Sequence, residues 1–208
     1  MAYSDFKTIE DTKQKLEVQV TSEASLFQAV TPITPSDRLQ ELLAEQVPLA
    51  LNINTEKARS ELIISPLLLE LRQQLNHLIS LFFGIDFGVD SSQGLNGFCD
   101  YLLSHSPDQI FPEAPVVCVV EAKNENIKLG YGQCIAEMIA AQTFNDLRGN
   151  AIPQILGIVT TGSNWKFLRY RDQVVTIYFH EYFINQTEQI LGILVHTFTT
   201  LEKSNLGV

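Results

Sequence analysis

The segment Val116-Val117-Cys118-Val119-Val120-Glu121-Ala122-Lys123 constrains the fold more than any other part of this chain. Apolar residues occupy both alternating sets of positions, so neither face of a strand here can meet water. A strand apolar on both faces belongs inside a sheet covered by other elements, not at its edge. The expected class is therefore α/β, a mixed sheet flanked by helices. Composition agrees: 208 residues, 45% hydrophobic and 18% charged, suffice for a sizeable core and exclude general disorder. No apolar run approaches the roughly 18 residues of a membrane helix; Leu62–Leu69 and Ala114–Val120 are the longest.

No linker or repeat divides the chain, so 1–208 is expected to be a single domain, with an extension over 1–50 and a core over 51–208. Lys15–Val20 alternates like a strand, and Ser25–Thr34 continues irregularly. Thr34-Pro35-Ser36-Asp37 predicts a helix capped by Thr34 and running to about Glu45. Pro48–Ile53 suggests a short buried strand or an extended link. A second helix should start at Asn54 or Thr55 and be kinked or split at Pro66. Strands are expected over Ile79–Val89, Gly97–Ser104 and Pro115–Lys123, then a helix from about Gly132 to Phe144. Strands over Ile155–Thr161, Trp165–Arg171 and Val174–Tyr178 follow, and Asn185 should cap a last helix.

Several chemistries find no support. GxSxG is absent, and Cys99, Cys118 and Cys134 form neither a CxxC pair nor a metal spacing. Reduced thiols in a cytoplasmic protein are expected, since Met1-Ala2-Tyr3-Ser4-Asp5 shows no secretory pattern. His77, His105, His180 and His196 lie far apart and read as structural or surface residues. Gly130-Tyr131-Gly132 precedes a helix without resembling a phosphate loop.

The end of the valine strand is more informative. Period two puts Glu121 and Lys123 on one face, roughly 6–7 Å apart along the strand. Alone, they could be a plain ion pair emerging into solvent. Asp100, however, lies mid-strand in Gly97–Ser104 between apolar neighbours. If these strands form an antiparallel pair, Asp100 comes beside Glu121. Two such carboxylates repel, and a hard divalent cation bound by oxygens relieves this. The carbonyl of Ala122 could add a third oxygen, and Lys123 would face a bound water or phosphate. The set suits metal-assisted phosphodiester hydrolysis.

An Asp in one strand, Glu-x-Lys at the end of the next, and a helix carrying Gln133 together resemble the PD-(D/E)XK nuclease superfamily, the restriction-endonuclease-like fold. Thr55-Glu56-Lys57-Ala58-Arg59 with Leu62–Leu68, and Ile158–Phe167, are similar to the N-terminal nuclease domains of type I restriction subunits. The likeness covers roughly residues 52–180. It implies an αβββαβ core and a DNA-cleaving activity dependent on Mg2+ or Mn2+. It further implies Asp100 and Glu121 as metal carboxylates with the Ala122 carbonyl, and Lys123 as the catalytic lysine. Glu56 would be the helix acid, with Glu61 competing, and Gln133 would line the site. Gln133, Ala136, Glu137 and Ala140 share a face that would meet a sheet, bound DNA or solvent.

Charge limits the partner. The chain carries 14 basic and 24 acidic side chains, a net −10, which opposes non-specific coating of nucleic acid. Residues 1–122 hold 7 of the bases and 17 of the acids, whereas residues 123–171 hold 6 and 3. The locally basic stretch thus begins at Lys123 and could face phosphate. DNA binding should be weak unaided, and engagement should need a homodimer or a partner protein. The alternative is a non-catalytic interaction module that keeps the nuclease fold.

Overall fold

The computed structural model describes residues 1–24, 27 and 29–205, the last five of these by backbone alone. Seven strands form one mixed sheet, flanked by helices: β1 Gln19–Glu23, β2 Ser80–Asp86, β3 Phe98–Ser104, β4 Val116–Ala122, β5 Ile155–Thr160, β6 Asn164–Arg171 and β7 Val174–Phe183. Their order across the sheet is β1-β7-β6-β5-β4-β3-β2. The valine strand β4 is interior, and all seven of its residues are buried. Full burial of each of its four valines is worth roughly 1.5–3 kcal/mol. β4 pairs antiparallel with β3 and parallel with β5. A parallel pair needs a crossover, and helix α5, Tyr131–Leu147, provides it.

The N-terminal region is not a separate appendage. Helix α1, Ile9–Leu16, starts at a capping box in which Thr8 Oγ1 accepts from the Asp11 amide and Asp11 accepts from the Thr8 amide. That box overrides the alternation at Lys15–Val20: Lys15 and Leu16 end the helix, Glu17 turns in the left-handed region, and the strand begins at Gln19. β1 then joins the same sheet, parallel to β7. Within the irregular stretch expected over Ser25–Thr34, residues 25, 26 and 28 lie outside the described residues.

Helix α2 runs Asp37–Ile53, so the expected end near Glu45 and the strand or link at Pro48–Ile53 are both corrected. Pro48 lies on an exposed side, as does Ala44, whose carbonyl loses its helical donor and can be served by water. The division expected at residue 50 therefore falls inside a helix. Its cap is Ser36 rather than Thr34: Ser36 Oγ accepts from the Leu39 amide while donating to Glu70.

After α3, Glu56–Arg59, capped by Thr55, a π turn over Ser60–Ile64 leads into α4, Ser65–Gln74. The Ser65 amide bonds the Ser60 carbonyl, five residues back, so the split expected at Pro66 takes the form of a widened turn. The last helix, α6, Thr187–Asn205, follows a 3-10 turn at Ile184–Gln186. Asn185 sits inside that turn and is not the cap. Among the described residues no helix is long and apolar enough to cross a membrane.

Candidate active site

Strand register brings the first two acids together. Tyr101 pairs with Val120, and one step further Asp100 comes opposite Glu121, so both side chains emerge on one face. The Ala122 amide donates to Asp100 Oδ2 at 2.8 Å and fixes that carboxylate against β4. Glu121 is fully buried; its Oε1 pairs with Lys123 Nζ, while its Oε2 has no hydrogen-bond partner among the described residues. The Lys123 amide donates to Thr160 at 2.8 Å, which extends β4 and holds Lys123 beside β5.

A third acid enters from α5. Glu137 is fully buried, with Oε1 accepting from Gln133 Nε2 at 3.1 Å and Oε2 unpartnered. Ala136 and Ala140 are buried as well, so the face shared with Gln133 packs into the protein and is not a solvent face. Two glycines allow α5 to come this close. A Cβ on Gly130 would crowd Val159 and the stems of Glu121 and Lys123, and a Cβ on Gly132 would strike the backbone of Phe6. Close packing thus accounts for Gly130 and Gly132 without a phosphate.

Burial is the largest influence on all three acids. It raises Glu121, helped by the charge of Asp100 and opposed by Lys123. It also raises Asp100, against the Ala122 hydrogen bond, and lifts Glu137 well above the carboxylate range, with Glu121 adding to the shift. Burial works to lower Lys123, but Glu121 outweighs it and the ammonium is stabilised. The two partners pull in opposite senses, because Lys123 is held charged by a carboxylate that burial tends to neutralise. Burial of Glu121 is the stronger effect, since one of its oxygens lacks a hydrogen-bond partner among the described residues. The cluster therefore holds more potential negative charge than one ammonium balances.

Two open pockets flank the cluster, and both are lined by Glu56 and Asp100. One, about 400 Å3, lies between Ala2-Tyr3-Ser4, Phe98, Lys123 and Gln133. The other, about 390 Å3, lies under Glu56, Glu61, Phe83 and Tyr101. Glu56 is exposed, and its charge reaches both Glu121 and Lys123. Glu61 instead pairs with Lys57 at 2.7 Å. Arg59 braces this region by donating to the Thr161 carbonyl at 3.0 Å and to Asn54 Oδ1 at 2.9 Å. Tyr101 Oη donates to the Ser60 carbonyl at 2.9 Å, tying the π turn to the strand that carries Asp100.

No family model matches the chain, and no curated protein matches it.

The expected residues Asp100, Glu121, Lys123, Gln133 and Glu56 thus line one pocket, and Ala122 lines the other with Asp100 and Glu56. Sequence reasoning placed Glu137 on the Gln133 face but gave it no role in the site, although a carboxylate among Ala136, Met138 and Ala140 was a usable signal. The contribution of Tyr3 had no such signal. Its amide donates to Asn96 at 2.8 Å and its hydroxyl to Phe87 at 2.6 Å, contacts across more than eighty residues.

A divalent cation fits this donor set. Among the described residues no three His, Cys, Asp or Glu side chains stand together as a ready-made metal group. Mg2+ does not need one, because it commonly binds through one or two carboxylates and keeps several waters. The orphaned, buried Oε2 of Glu121 is the observation that favours such a ligand.

Proposed function

We propose that this chain is a metal-dependent nuclease that hydrolyses DNA phosphodiester bonds, with a PD-(D/E)XK-type site and a restriction-endonuclease-like fold. The observation that carries the reading is the unpartnered Oε2 of fully buried Glu121, beside Asp100 and paired through its other oxygen with Lys123. The run of helix, β2, β3, β4, α5 and β5 supports the αβββαβ core.

Asp100 and Glu121, with the Ala122 carbonyl, would hold Mg2+ or Mn2+. When bound, the ion lowers the pKa of a water and offsets charge on the phosphate. Lys123 holds the attacking water by its ammonium and stabilises negative charge building on the phosphoryl oxygens. Gln133 is anchored through Glu137 and offers its amide to the water or a phosphate oxygen. Glu56 would add a carboxylate near the ion, and its position on both pockets favours it over Glu61.

The net charge of −10 argues for weak unaided DNA binding, so a homodimer or partner protein is part of the proposal. A cytoplasmic location accords with three buried, free thiols. A second reading, a non-catalytic module that keeps the fold, draws support from the engagement of Lys123 with Glu121. A cleavage assay decides between them, using single-stranded, duplex and branched DNA with Mg2+ or Mn2+. Cutting that disappears in Lys123→Ala is expected. Cutting unchanged in that variant defeats the catalytic assignment, and no cutting by wild type, with no divalent-ion binding by calorimetry, favours the module.

A further inference from the structure

The loop between β3 and β4, residues 105–115, carries two apolar side chains out into water. Ile110 is 85% exposed and Phe111 52%. Hydrogen bonds fix the base of this tip. Gln109 Oε1 accepts from the Leu81 amide at 3.1 Å and its Nε2 donates to the Leu81 carbonyl at 3.2 Å, as a neighbouring strand would at the β2 edge. The Ile110 amide donates to Asp108 Oδ1 at 2.8 Å, and Ser106 Oγ donates to Glu113 at 2.8 Å. A pair of large apolar side chains held in place and left unburied forgoes a stabilisation that a partner surface would supply.

Beside the tip, an open pocket of about 240 Å3 lies between α2 and α4. Leu39, Leu42, Pro66 and Leu69 give it an apolar wall, and Arg38 and Arg72 give it charge. The carboxylate in the lining, Glu70, has both oxygens engaged by Ser36 and Gln74, so the guanidiniums are in excess. Arg72 joins the pocket to the tip, its Nε donating to Gln109 Oε1 and to the Ile79 carbonyl, each at 3.1 Å. Leu69 and Leu78 are exposed as well, which continues the apolar surface around Arg72.

Tip and pocket are complementary. Ile110 and Phe111 match the apolar wall, and Asp108 and Glu113, which flank them, match the two arginines. The pocket is smaller than the roughly 300–1,000 Å3 of small-ligand sites, so it suits the side chains of a protein better than a free metabolite. Because tip and pocket adjoin on one chain, a two-fold axis between two copies brings each tip to the other's pocket at once. Aromatic and arginine side chains at the centre are the usual composition of such an interface.

We propose that two copies of this chain associate about a two-fold axis, Ile110 and Phe111 of each inserting into the other's pocket between α2 and α4. The acids flanking each tip face Arg38 and Arg72 across the contact. The loop leaves β3 after Ser104, about 13 Å along the strand from Asp100, so interface and cleft lie toward opposite ends of that strand. The inference gives a geometry to the homodimer invoked for DNA engagement, but it is measured without DNA, metal or cleavage.

The test is sedimentation velocity of the full chain across a concentration series. A dimer with a Kd in the micromolar range or tighter is expected. Phe111→Ala should weaken it by about 100-fold, because each dimer loses two anchors of about 10-fold each. Arg38→Glu, which sets like charges across the contact, should weaken it at least as much. Mixing supplies a readout that a general loss of stability would not give. Phe111→Asp spoils the tip and spares the pocket, whereas Leu69→Asp spoils the pocket and spares the tip. Each should be monomeric alone, and an equimolar mixture should dimerise through the one intact contact. Both side chains are exposed, so native circular dichroism is expected of both variants.

A wild-type chain that stays monomeric throughout overturns the proposal. So does a dimer whose affinity is unchanged in Phe111→Ala and Arg38→Glu, or a pair of monomeric variants that fail to associate on mixing. Growth beyond the dimer overturns the two-fold arrangement. The two readings fail separately. Dimerisation through the tip in a chain that never cuts DNA upholds this inference and removes the nuclease, and cleavage by a chain that stays monomeric does the reverse.

Discussion

Glu70 and Glu121 are both glutamates removed from water, at 5% and 0% exposure, yet the fold treats them in opposite ways. Glu70, on α4, has both oxygens engaged. Oε1 accepts from the Ser36 amide and from Gln74 Nε2, each at 2.9 Å, and Oε2 accepts from Ser36 Oγ at 2.8 Å. Burial works to raise its pKa, but these donors outweigh burial and leave it below the ordinary value. Glu121 has one oxygen on Lys123 and one on nothing, with Asp100 opposite, and its pKa is pushed up. Satisfied burial makes a structural clasp between α2 and α4. Unsatisfied burial, repeated in Glu137, leaves a site whose charge is not balanced within the protein.

The sharpest way to break this contrast is by activity. Glu121→Gln should lower cleavage by about 10^2–10^3-fold, the usual cost of removing one preorganised electrostatic group from a hydrolytic site. Glu70→Gln, far from the cleft in role, should leave the rate within about twofold. Initial rates on labelled DNA with Mg2+ measure both. Equal losses in the two variants would mean that the acids differ in surroundings and not in function.

In stability the satisfied acid should matter more than the unsatisfied Glu137. Glu70→Ala removes an ionised acceptor from three donors and should cost about 2–3 kcal/mol in urea unfolding, given about 1.5–3 kcal/mol for hydrogen bonds to charged groups and part compensation by water. Glu137→Gln keeps a polar atom toward Gln133 and removes an acid that must give up its charge to be buried, so it should be neutral or stabilising by about 1 kcal/mol. Marked destabilisation by Glu137→Gln would show that its second oxygen is served after all.

These two predictions also show what the sequence could and could not disclose. Glu121 was legible because it ends a strand whose apolar pattern announces burial, and period two ties Lys123 to it. Asp100 followed from its apolar neighbours in the next strand. Antiparallel pairing was an assumption there, and the β3–β4 register supplies it. Glu70 and Ser36 were not legible as a pair, since 34 residues separate them and Thr34-Pro35 offers an equally good local start. The same blindness to long-range partners hid the packing of Phe6 on Gly132, whereas the strand read over Lys15–Val20 overlooked a local signal, the Thr8–Asp11 capping box that starts α1. Local patterns identify the elements, whereas which side chain completes a cap or a wall depends on contacts made only once the sheet has formed.

Divalent ions provide a smaller effect. An ion that binds the folded chain alone stabilises it by about 1.4 kcal/mol at ten times its Kd. Mg2+ should therefore raise the melting temperature of wild type by a few degrees, and Glu121→Gln should abolish the rise while Glu70→Gln preserves it. Differential scanning calorimetry with and without EDTA measures this. A shift of the same size in all three proteins would locate the ion elsewhere.

The pH dependence is the smallest effect and separates the two kinds of burial by sign. A carboxylate lowered in the fold, such as Glu70, contributes stability that is fully present above its unfolded pKa, about 4.3. That contribution is lost as pH falls through the folded value. A carboxylate raised in the fold, such as Glu137, acts the other way: its contribution is present below the unfolded pKa and is lost as pH rises through the folded value. The stability gap between wild type and Glu70→Gln should therefore shrink on acidification below about pH 4. The advantage of Glu137→Gln over wild type should grow with rising pH instead. Urea midpoints of the three proteins across an acid-to-alkaline series measure both trends. An advantage of Glu137→Gln that stays constant or shrinks as pH rises would mean that Glu137 holds its proton no more tightly than Glu70, and the distinction between a satisfied and an unsatisfied buried acid would fail at its root.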